Sequence, residues 1–578
     1  MPFATNRISF FLSLLQCFVC CDTYNYHTSI AQMDCPTWTY RNVTSNDCIC
    51  GVDLQNSVKC NSSTKQVHVR SCHMITFDPS RKETVAGFSL YGCIHKVEKY
   101  TQMYFSVPSN ISEITHNVCN QFNRNGTFCG TCKEGYSPLV YSYKLQCKLC
   151  SMSENRRNWI AFLAVILIPQ TLFYIFVVLY KFNANASSLH GFVLVAQLLT
   201  QISSTKTILA RVMITDRQSN QFHGMAAAVI ILQTLYSVWN LDFFRALYPD
   251  ICLQVTTLMA LSLDYVVAFY PLFLIVLTFL LTELHSRGFK VVLFMWSPFH
   301  RFLFYFRKQW DIKSSLVDVF ATFLLLSYNR LLDLSFSLLM FTKGFNSKGQ
   351  LVDNYLFYDS SIAYFGKEHR FYGFFAIFVL VFFNFFPFLL LLFYPMQCFQ
   401  KCLNHLQLNS IALRMFVDSF AGCYKDGTEP NTRDCRYFAA LFFLFRVLNY
   451  VVFMCTYSAF YFFIFLTVVA FFCAVLVYVQ PYKEIFSHHN TTTIVMLILV
   501  IVMCCCLSCL SYVELYMPEA LPFMVVVCIL VTCLPQVYVS CLVLKWIYNR
   551  KPWSKICTLL FIRHVRLEMS DQTSLLDK

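Results

Sequence analysis

The chain has 578 residues, of which 57% are hydrophobic, 17% aromatic and 13% charged. A soluble chain carries roughly 25% charged residues, so this composition excludes an ordinary water-soluble protein and predicts lipid as the main solvent. The net charge of +14 comes from basic residues that cluster in a few loops beside apolar runs. That placement is typical of membrane orientation and argues against nucleic acid as a partner.

The N-terminal part predicts secretion. Residues 1–22 hold one early arginine and an apolar run of about a dozen residues, which suits a signal peptide and is too short to span a bilayer. Residues 23–155 are polar, and their eleven cysteines predict disulfides in an oxidising compartment: Cys35, Cys48, Cys50, Cys60, Cys72, Cys93, Cys119, Cys129, Cys132, Cys147 and Cys150. Four sequons in this domain predict a glycosylated extracellular or luminal surface: Asn42, Asn61, Asn110 and Asn125.

Long apolar runs begin after residue 157, and each is near or above the roughly 20 residues that cross a bilayer. They predict an all-α bundle over 158–546 with nine transmembrane helices, at 158–181, 189–209, 255–282, 315–341, 371–394, 437–457, 458–480, 491–513 and 520–545. The shorter run 227–243 is expected to enter the membrane without crossing it. This choice keeps the basic loops 284–314 and 395–436 and the basic tail 547–578 together on the cytosolic side.

Four charged residues lie deep inside predicted helices: Asp264, Arg330, Asp333 and Arg446. Such charges are costly in lipid, so they usually pair or line a wet cavity. Arg330 and Asp333 are three residues apart on one helix and can pair locally, which leaves Asp264 and Arg446 as possible partners across the bundle. Structural pairing that docks the helices is the expected role, with a permeation path or a ligand pocket as the alternative.

The sequence predicts neither a metal site nor a cofactor nor an enzyme. Two C-x-x-C pairs, at 129–132 and 147–150, have zinc-ligand spacing, but a secretory compartment favours disulfides. A phosphate loop, a nucleophile elbow and an H-E-x-x-H motif are all absent from the sequence. The segment 119–150 resembles a small EGF-like module stapled by cystines.

Several motifs carry a wider resemblance. N-R-x-G-x-x-C-G-x-C-x-x-G-Y-S at 123–137, T-F-L-L-L-S-Y-N-R-L-L at 322–332 and Q-P-Y-K at 480–483 occur in order with a cytosolic signature at 416–436. That signature includes Tyr424, Lys425, Asp426, Gly427, Thr428, Arg433, Asp434 and Arg436, while Ala421 and Cys435 depart from the usual pattern. Together they resemble a large, poorly characterised family of multi-span membrane proteins of invertebrates and protists, grouped with proteins related to G-protein-coupled receptors. The resemblance implies the architecture but little about activity.

The tail mixes Lys, Arg and Trp with apolar residues, which suits an interfacial helix on anionic lipid. It ends in a stretch that resembles an acidic dileucine signal read by cytosolic adaptors: Asp571, Leu575 and Leu576.

The layout predicts a plasma-membrane, endosomal or lysosomal protein with an extracellular or luminal N-terminus and a cytosolic C-terminus. Receptor-like sensing is the predicted function: the Cys-rich domain senses an unknown extracellular ligand and loop 395–436 reports it. That loop could also be a plain solvated connector. A cation channel with the layout of TRP-like proteins and a secondary transporter are the alternatives.

Overall fold

The computed structural model describes most of the second half of the chain and parts of the first. The described residues are 40–41, 48–49, 58–61, 66–69, 73–78, 83–88, 119, 123–138, 147–180, 191, 193–198, 241, 253–289, 312–346, 350–407, 410–428, 432–455, 460–484, 487–516 and 520–550. The predicted signal peptide, nearly all of 227–243, most of loop 284–314 and the tail beyond residue 550 lie outside them.

The chain is mostly helical, and the helices follow the apolar runs. A helix satisfies its backbone polar groups internally, so it is the form that a long apolar run takes in lipid. In chain order the helices are α1 (Met152–Tyr180), α2 (Thr257–Ser286), α3 (Ile312–Leu339), α4 (Arg370–Val379), α5 (Phe386–Phe393), α6 (Gln397–His405), α7 (Ile411–Ala421), α8 (Phe438–Cys455), α9 (Phe460–Val479), α10 (Ser487–Tyr516) and α11 (Leu521–Arg550).

Within the described residues, five helical segments are long and apolar enough to cross a membrane: Asn155–Leu179, Thr257–Ser286, Leu316–Leu339, Arg370–Phe393 and His489–Cys506. Three shorter apolar helices accompany them: Phe438–Val451, Ile464–Val479 and Val526–Tyr538. The predicted span 189–209 is described only at 191 and 193–198, where it is helical. These apolar helices are consistent with the predicted membrane location.

Twelve short strands accompany the helices in the described part of the chain. They are β1 (Tyr40–Arg41), β2 (Cys48–Ile49), β3 (Val58–Asn61), β4 (Gln66–Val69), β5 (His73–Asp78), β6 (Glu83–Phe88), β7 (Arg124–Asn125), β8 (Thr131–Cys132), β9 (Tyr136–Pro138), β10 (Cys147–Leu149), β11 (Phe341–Phe345) and β12 (Leu351–Leu356). Ten of them belong to the Cys-rich segment, while β11 and β12 form a hairpin directly after α3.

A four-stranded antiparallel sheet, in the order β12-β11-β6-β5, joins this hairpin to the Cys-rich segment. Gly344 of β11 lies opposite Gly87 of β6. Nearby, the Ser360 hydroxyl donates to the Thr127 carbonyl at 2.6 Å. The hairpin between α3 and α4 therefore lies at the same end of the bundle as the Cys-rich segment, and we call this the Cys-rich end.

Contacts at the starts of α1 and α2 also belong to the Cys-rich end. α1 begins two residues after Cys150, and the side chain of Gln254, just before α2, donates to the Cys150 carbonyl at 2.9 Å. The Asn155 amide of α1 donates to the Gln254 side-chain oxygen at 3.0 Å. Helices α1, α2 and α4 thus start at this end, and α3 finishes there.

The Cys-rich segment is held by disulfides next to the helical bundle. Cys119 bonds Cys129 and Cys132 bonds Cys147, so the second bridge joins one C-x-x-C pair to the other. Cys150 is disulfide-bonded as well. Such bridges stabilise a small domain by restricting the unfolded chain.

Helix α3 is the most enclosed of the five candidate spans: 83% of its apolar window is buried, against 33% to 44% for the other four. The other helices of the bundle therefore surround α3 along most of its length.

A π-helical turn, Leu380–Phe385, separates α4 from α5 and fastens this helical run to α3. Pro387 follows it and has no amide hydrogen, so the carbonyl four residues earlier loses its α-helical donor. Asn384, in the π turn, is fully buried. Its side chain donates to the Tyr328 carbonyl at 3.0 Å, and the Tyr328 hydroxyl donates back to the Asn384 carbonyl at 3.3 Å.

Candidate functional site

A buried ion pair joins α2 to α3 inside the bundle. Arg330 donates to the Asp264 carboxylate at 2.9 Å and to the Leu241 carbonyl at 3.0 Å. Asp264 is 9% exposed and Arg330 is 7% exposed, so water screens the pair little. Each charge depends on the other for compensation, and the pair therefore helps to fix how α2 docks on α3.

The structure corrects the expected pairing of the intramembrane charges. We expected Arg330 to pair with Asp333 on its own helix and Asp264 to face Arg446. The charged partner of Arg330 is instead Asp264 on α2, and the Tyr450 hydroxyl of α8 donates to Asp333. A partner on a packed neighbouring helix competes with one a single turn away, and spacing along one helix cannot reveal that competition.

Arg446 on α8 is completely buried. Its Nε donates to the Gln197 side-chain oxygen at 2.8 Å, and a terminal nitrogen donates to the Phe442 carbonyl at 3.1 Å. Its Cζ atom lies 5.6 Å from the centre of the Phe443 ring. Gln197 in turn donates to the Leu325 carbonyl at 2.9 Å. Arg446 is therefore linked to α3 through an uncharged amide.

At the opposite end of the bundle, two segments distant in sequence meet. We call the described residues of 422–436, together with 480–483, the latch. Tyr424 and Tyr482 are antiparallel bridge partners, and their rings stack with centres 4.8 Å apart. Both are 1% exposed. The latch thus brings together the Y-K-D-G-T signature and the Q-P-Y-K motif, which the sequence presents as separate features.

Backbone hydrogen bonds close the latch. The Lys425 amide donates to the Pro481 carbonyl at 2.9 Å, and the Lys483 amide donates to the Cys423 carbonyl at 3.1 Å. The Lys483 ammonium also forms an ion pair with Asp426 at 2.9 Å. This ladder places α5 and α9, which end near it, and α8 and α10, which begin near it, at the end opposite the Cys-rich segment.

The tight turn inside the latch uses the residues that turn chemistry favours. Gly427 has φ +76°, a conformation that costs little only for glycine. The Asp426 carboxylate accepts from the Thr428 hydroxyl at 2.6 Å and from its amide at 3.1 Å. The Asp434 carboxylate accepts bidentate hydrogen bonds from the Arg436 guanidinium, the shorter of these two at 2.7 Å. The described residues of this segment are therefore held by specific contacts.

Local contacts set the protonation of the latch. The hydrogen bond from Thr428, and then that from Lys483, hold the pKa of Asp426 well below its usual range. Burial raises the pKa of the Cys423 thiol to about 12. Burial also raises the pKa values of Tyr424 and Tyr482. At neutral pH the latch holds an ionised carboxylate beside a protonated thiol and two neutral phenols.

The latch is fastened to the central helix through α7. The Ser419 hydroxyl donates to the Asp318 carboxylate near the start of α3 at 2.5 Å. The Phe420 ring lies 5.4 Å from the Phe443 ring of α8. At its other end α3 leads directly into β11, which pairs with β6. A single helix therefore contacts α7, which leads into the latch, at one end and continues into the sheet of the Cys-rich segment at the other.

No protein-family model, curated protein or solved structure matches the chain. The resemblance to the multi-span family therefore stays a prediction.

The other predicted site residues fall in three groups. Arg433 of the signature is an exposed residue of the latch. Strands β2, β3 and β7 contain Cys48, Cys60, Asn61 and Asn125. The remaining candidates lie outside the described residues: Cys35, Cys50, Cys72, Cys93, Asn42, Asn110, Asp571, Leu575 and Leu576.

Sequence reasoning missed three residues that complete these contacts: Gln197, Ser419 and Tyr450. Lys483 belongs to the Q-P-Y-K motif, but its ion pair with Asp426 was not predicted. For Gln197 a signal existed, because a polar side chain inside an apolar run is costly in lipid unless it has a partner. For Ser419 and Tyr450, no local pattern distinguishes them from ordinary polar residues. In the described part of the chain, no group of three His, Cys, Asp or Glu side chains is arranged to hold a metal ion.

Proposed function

We propose that this chain is a multi-pass membrane protein that senses on its Cys-rich side and signals through the latch on the opposite side. The observation that carries the proposal is the course of α3. It crosses the centre of the bundle, hydrogen-bonds to α7 beside the latch, and continues into a strand that pairs with the Cys-rich segment. A rigid helix in contact with both ends is a physical route by which a change at one end biases the other.

We propose nine spans for this protein, with 227–243 entering the membrane without crossing it. α1 starts at the Cys-rich end, and the contact of Gln254 with Cys150 brings the start of α2 to that same end. If α1 crosses the membrane, it finishes at the opposite end, whereas α2 starts at the Cys-rich end. The chain between them must therefore cross the membrane an odd number of times. This supports one crossing at 189–209 and none at 227–243.

The proposed orientation puts the Cys-rich segment outside the cell or in an endosomal lumen. The latch, loop 284–314 and the tail then face the cytosol, where basic residues in short loops are favoured. An extracellular ligand on one side, and cytosolic adaptors and anionic lipid on the other, are the proposed partners.

The buried charges weigh against the cation-channel alternative. Arg446 places a fixed positive charge inside the bundle with no carboxylate of the described residues bonded to it. The Asp264 carboxylate, which could attract cations, is neutralised by Arg330. A cation path needs carboxylates or carbonyls that face the pore, so these two sites do not favour one.

A change in the β6–β11 contact tests the coupling. A Cβ added at Gly344 would lie 2.6 Å from the Tyr355 ring, so Gly344→Val must displace β11 or its neighbour. In the full-length protein in membrane vesicles, the labelling rates of Cys423 and Cys435 are measured with N-ethylmaleimide and peptide mass spectrometry. Both thiols are buried in the wild type. We expect Gly344→Val to speed their labelling by about tenfold, as a loss of about 1.4 kcal/mol in latch closure would do.

Two controls separate coupling from general unfolding. Leu351→Thr changes an exposed position of β12 and should leave both labelling rates unchanged. Cys504, buried in α10 away from the proposed route, should stay protected in every variant. Unchanged latch labelling in Gly344→Val, or equal exposure of Cys504, would remove the support for signalling through α3.

A further inference from the structure

Among the described residues, two arginines of the bundle are buried, and Arg446 differs from Arg330 in having no carboxylate bonded to it. Arg330 has the Asp264 carboxylate at 2.9 Å. In the described part of the chain, the side chain of Arg446 contacts the Gln197 amide oxygen, the Phe442 carbonyl and the Phe443 ring, all of them uncharged. A guanidinium keeps its proton in proteins, so this positive charge cannot be avoided by deprotonation.

Unused hydrogen-bonding atoms lie in the same part of the bundle. One terminal nitrogen of Arg446 finds no hydrogen-bond partner among the described residues, and neither does either amide atom of Asn329. Asn329 is 2% exposed and lies one helical turn from Leu325, whose carbonyl accepts from Gln197. Gln197 thus links Arg446 of α8 to the helical turn of α3 that leads to Asn329.

We propose that Arg446 and Asn329 hold a monovalent anion inside the bundle, either a halide or a carboxylate group. A neutral partner would satisfy the free nitrogen of Arg446, but it would leave the buried charge uncompensated. A monovalent anion does both, because it accepts hydrogen bonds from the guanidinium and from the Asn329 amide.

The surroundings favour a small, singly charged ligand. Arg446 supplies one positive charge, so a divalent anion such as sulfate would itself be left with an unpaired charge in a poorly solvated interior. The neighbouring rings of Phe443 and Tyr328, whose centres lie 4.6 Å apart, are both buried and shield the site from water. These rings add apolar surface and no second cation.

Anion-dependent stability tests the site. The full chain is purified in detergent, and its Tm is measured at constant ionic strength while sulfate is replaced by chloride or, separately, by formate. A ligand that binds only the folded state raises Tm in a saturable way. We expect such a rise with at least one of the two anions, and the one that acts at lower concentration identifies the site as halide- or carboxylate-selective.

Gln197→Glu is the decisive variant. It puts a carboxylate where the Arg446 Nε already has a partner at 2.8 Å, so the protein would carry its own countercharge. We expect this variant to have a high Tm in sulfate and no further rise with chloride or formate. The control Arg287→Gln, at an arginine exposed to solvent, should keep the wild-type anion dependence.

Three results would overturn the site: a wild-type Tm that does not respond to either anion, a response that never saturates, or a Gln197→Glu protein that keeps the wild-type response. Arg446→Gln should also abolish the response where that variant folds, and Gln197→Glu decides the question where it does not. The proposal goes beyond the sensing function, and these melts do not depend on whether the latch signals.

Discussion

At the scale of single residues, two buried arginines show how the same side chain is accommodated in two ways. Arg330 is compensated by a carboxylate on the neighbouring helix, whereas Arg446 has only neutral contacts in the described part of the chain. Low local polarity strengthens the attraction between the two buried charges, but burying them removes their hydration. Removing one partner leaves the other charge buried and unhydrated, so the loss exceeds what the pair contributes to stability. The same cost is what makes an uncompensated arginine a candidate anion site.

Breaking the buried pair should therefore be severe. We expect Arg330→Gln to lower the free energy of unfolding by about 3–5 kcal/mol, because the Asp264 charge would stay buried without its countercharge. Denaturant or thermal unfolding of the purified protein measures this loss. Arg287→Gln removes an arginine whose side chain is 67% exposed in its pair with Glu283, and should cost below about 1 kcal/mol. Equal effects of the two substitutions would contradict the structural role of the Asp264–Arg330 pair.

At the scale of elements, the junction between β12 and α4 depends on a buried histidine. The His369 Nδ1 accepts from the Phe365 amide at 3.0 Å, and its Nε2 lies 2.8 Å from the Leu338 carbonyl. Since Nδ1 is an acceptor, the proton must sit on Nε2 and the ring is neutral. The ring therefore ties the turn before α4 to the end of α3, next to the sheet of the Cys-rich segment.

This junction should weaken in acid. Burial lowers the pKa of His369 below its ordinary 6.5, so below pH 6.5 the unfolded chain binds a proton that the folded chain does not. Stability is then fully present above pH 6.5 and falls as the pH drops below it. We expect Tm to fall between pH 7 and pH 5 in the wild type.

His369→Gln supplies the control for this prediction. Its side-chain oxygen can accept from Phe365 and its amide can donate to Leu338, but it does not titrate. This variant should show a shallower fall of Tm with acid. A fall as steep as in the wild type would assign the pH dependence to other groups.

At the opposite end of the bundle, the latch also depends on contacts between segments that are distant in sequence. Its two short motifs become one element only when they pair. Neither Y-K-D-G-T nor Q-P-Y-K is long enough to form stable structure alone. Joined, they bury the stacked rings of Tyr424 and Tyr482 and form the Asp426–Lys483 ion pair. Burial of the rings supplies most of the stabilisation, since a half-exposed ion pair contributes little in water.

At the scale of the whole molecule, the chain has two ends with different chemistry. One carries disulfides and a sheet, and the other carries the latch with its charged turn. α3 connects the two, which is why a disturbance at the sheet is expected to reach the latch. This arrangement requires that the two ends face opposite sides of a membrane.

Epitope insertion tests that requirement. One tag is placed after residue 347, between β11 and β12 in the sequence. A second is placed after residue 430, between the two described stretches of 422–436, and a third after Lys578. In intact cells or sealed vesicles we expect antibody to reach the first tag on the side of the Cys-rich segment, and the other two only after permeabilisation. A tag at 430 and a tag at 578 on different sides would exclude the nine-span arrangement.

The sequence by itself determined those properties that depend on local composition. Runs of apolar residues near the length of a bilayer predicted the long apolar helices that the structure describes, to within a few residues at most ends, because the cost of placing backbone and charge in lipid depends on the residues in that run. They did not predict α6 and α7, which lie inside the expected loop 395–436. The sequence likewise predicted a turn at Gly427, since a positive φ favours glycine wherever it occurs.

Only the tertiary structure decided which of these pieces touch. Asp264 and Arg330 are 66 residues apart, Asp426 and Lys483 are 57 apart, and Gln197 and Arg446 are 249 apart. The expected local pair of Arg330 with Asp333 was wrong because helix docking chose a different neighbour. The sequences of β6 and β11 do not indicate that these two strands pair, since any exposed strand edge offers the same backbone donors and acceptors. Long-range contacts depend on how the helices assemble, and that assembly minimises the exposure of all polar groups to lipid together.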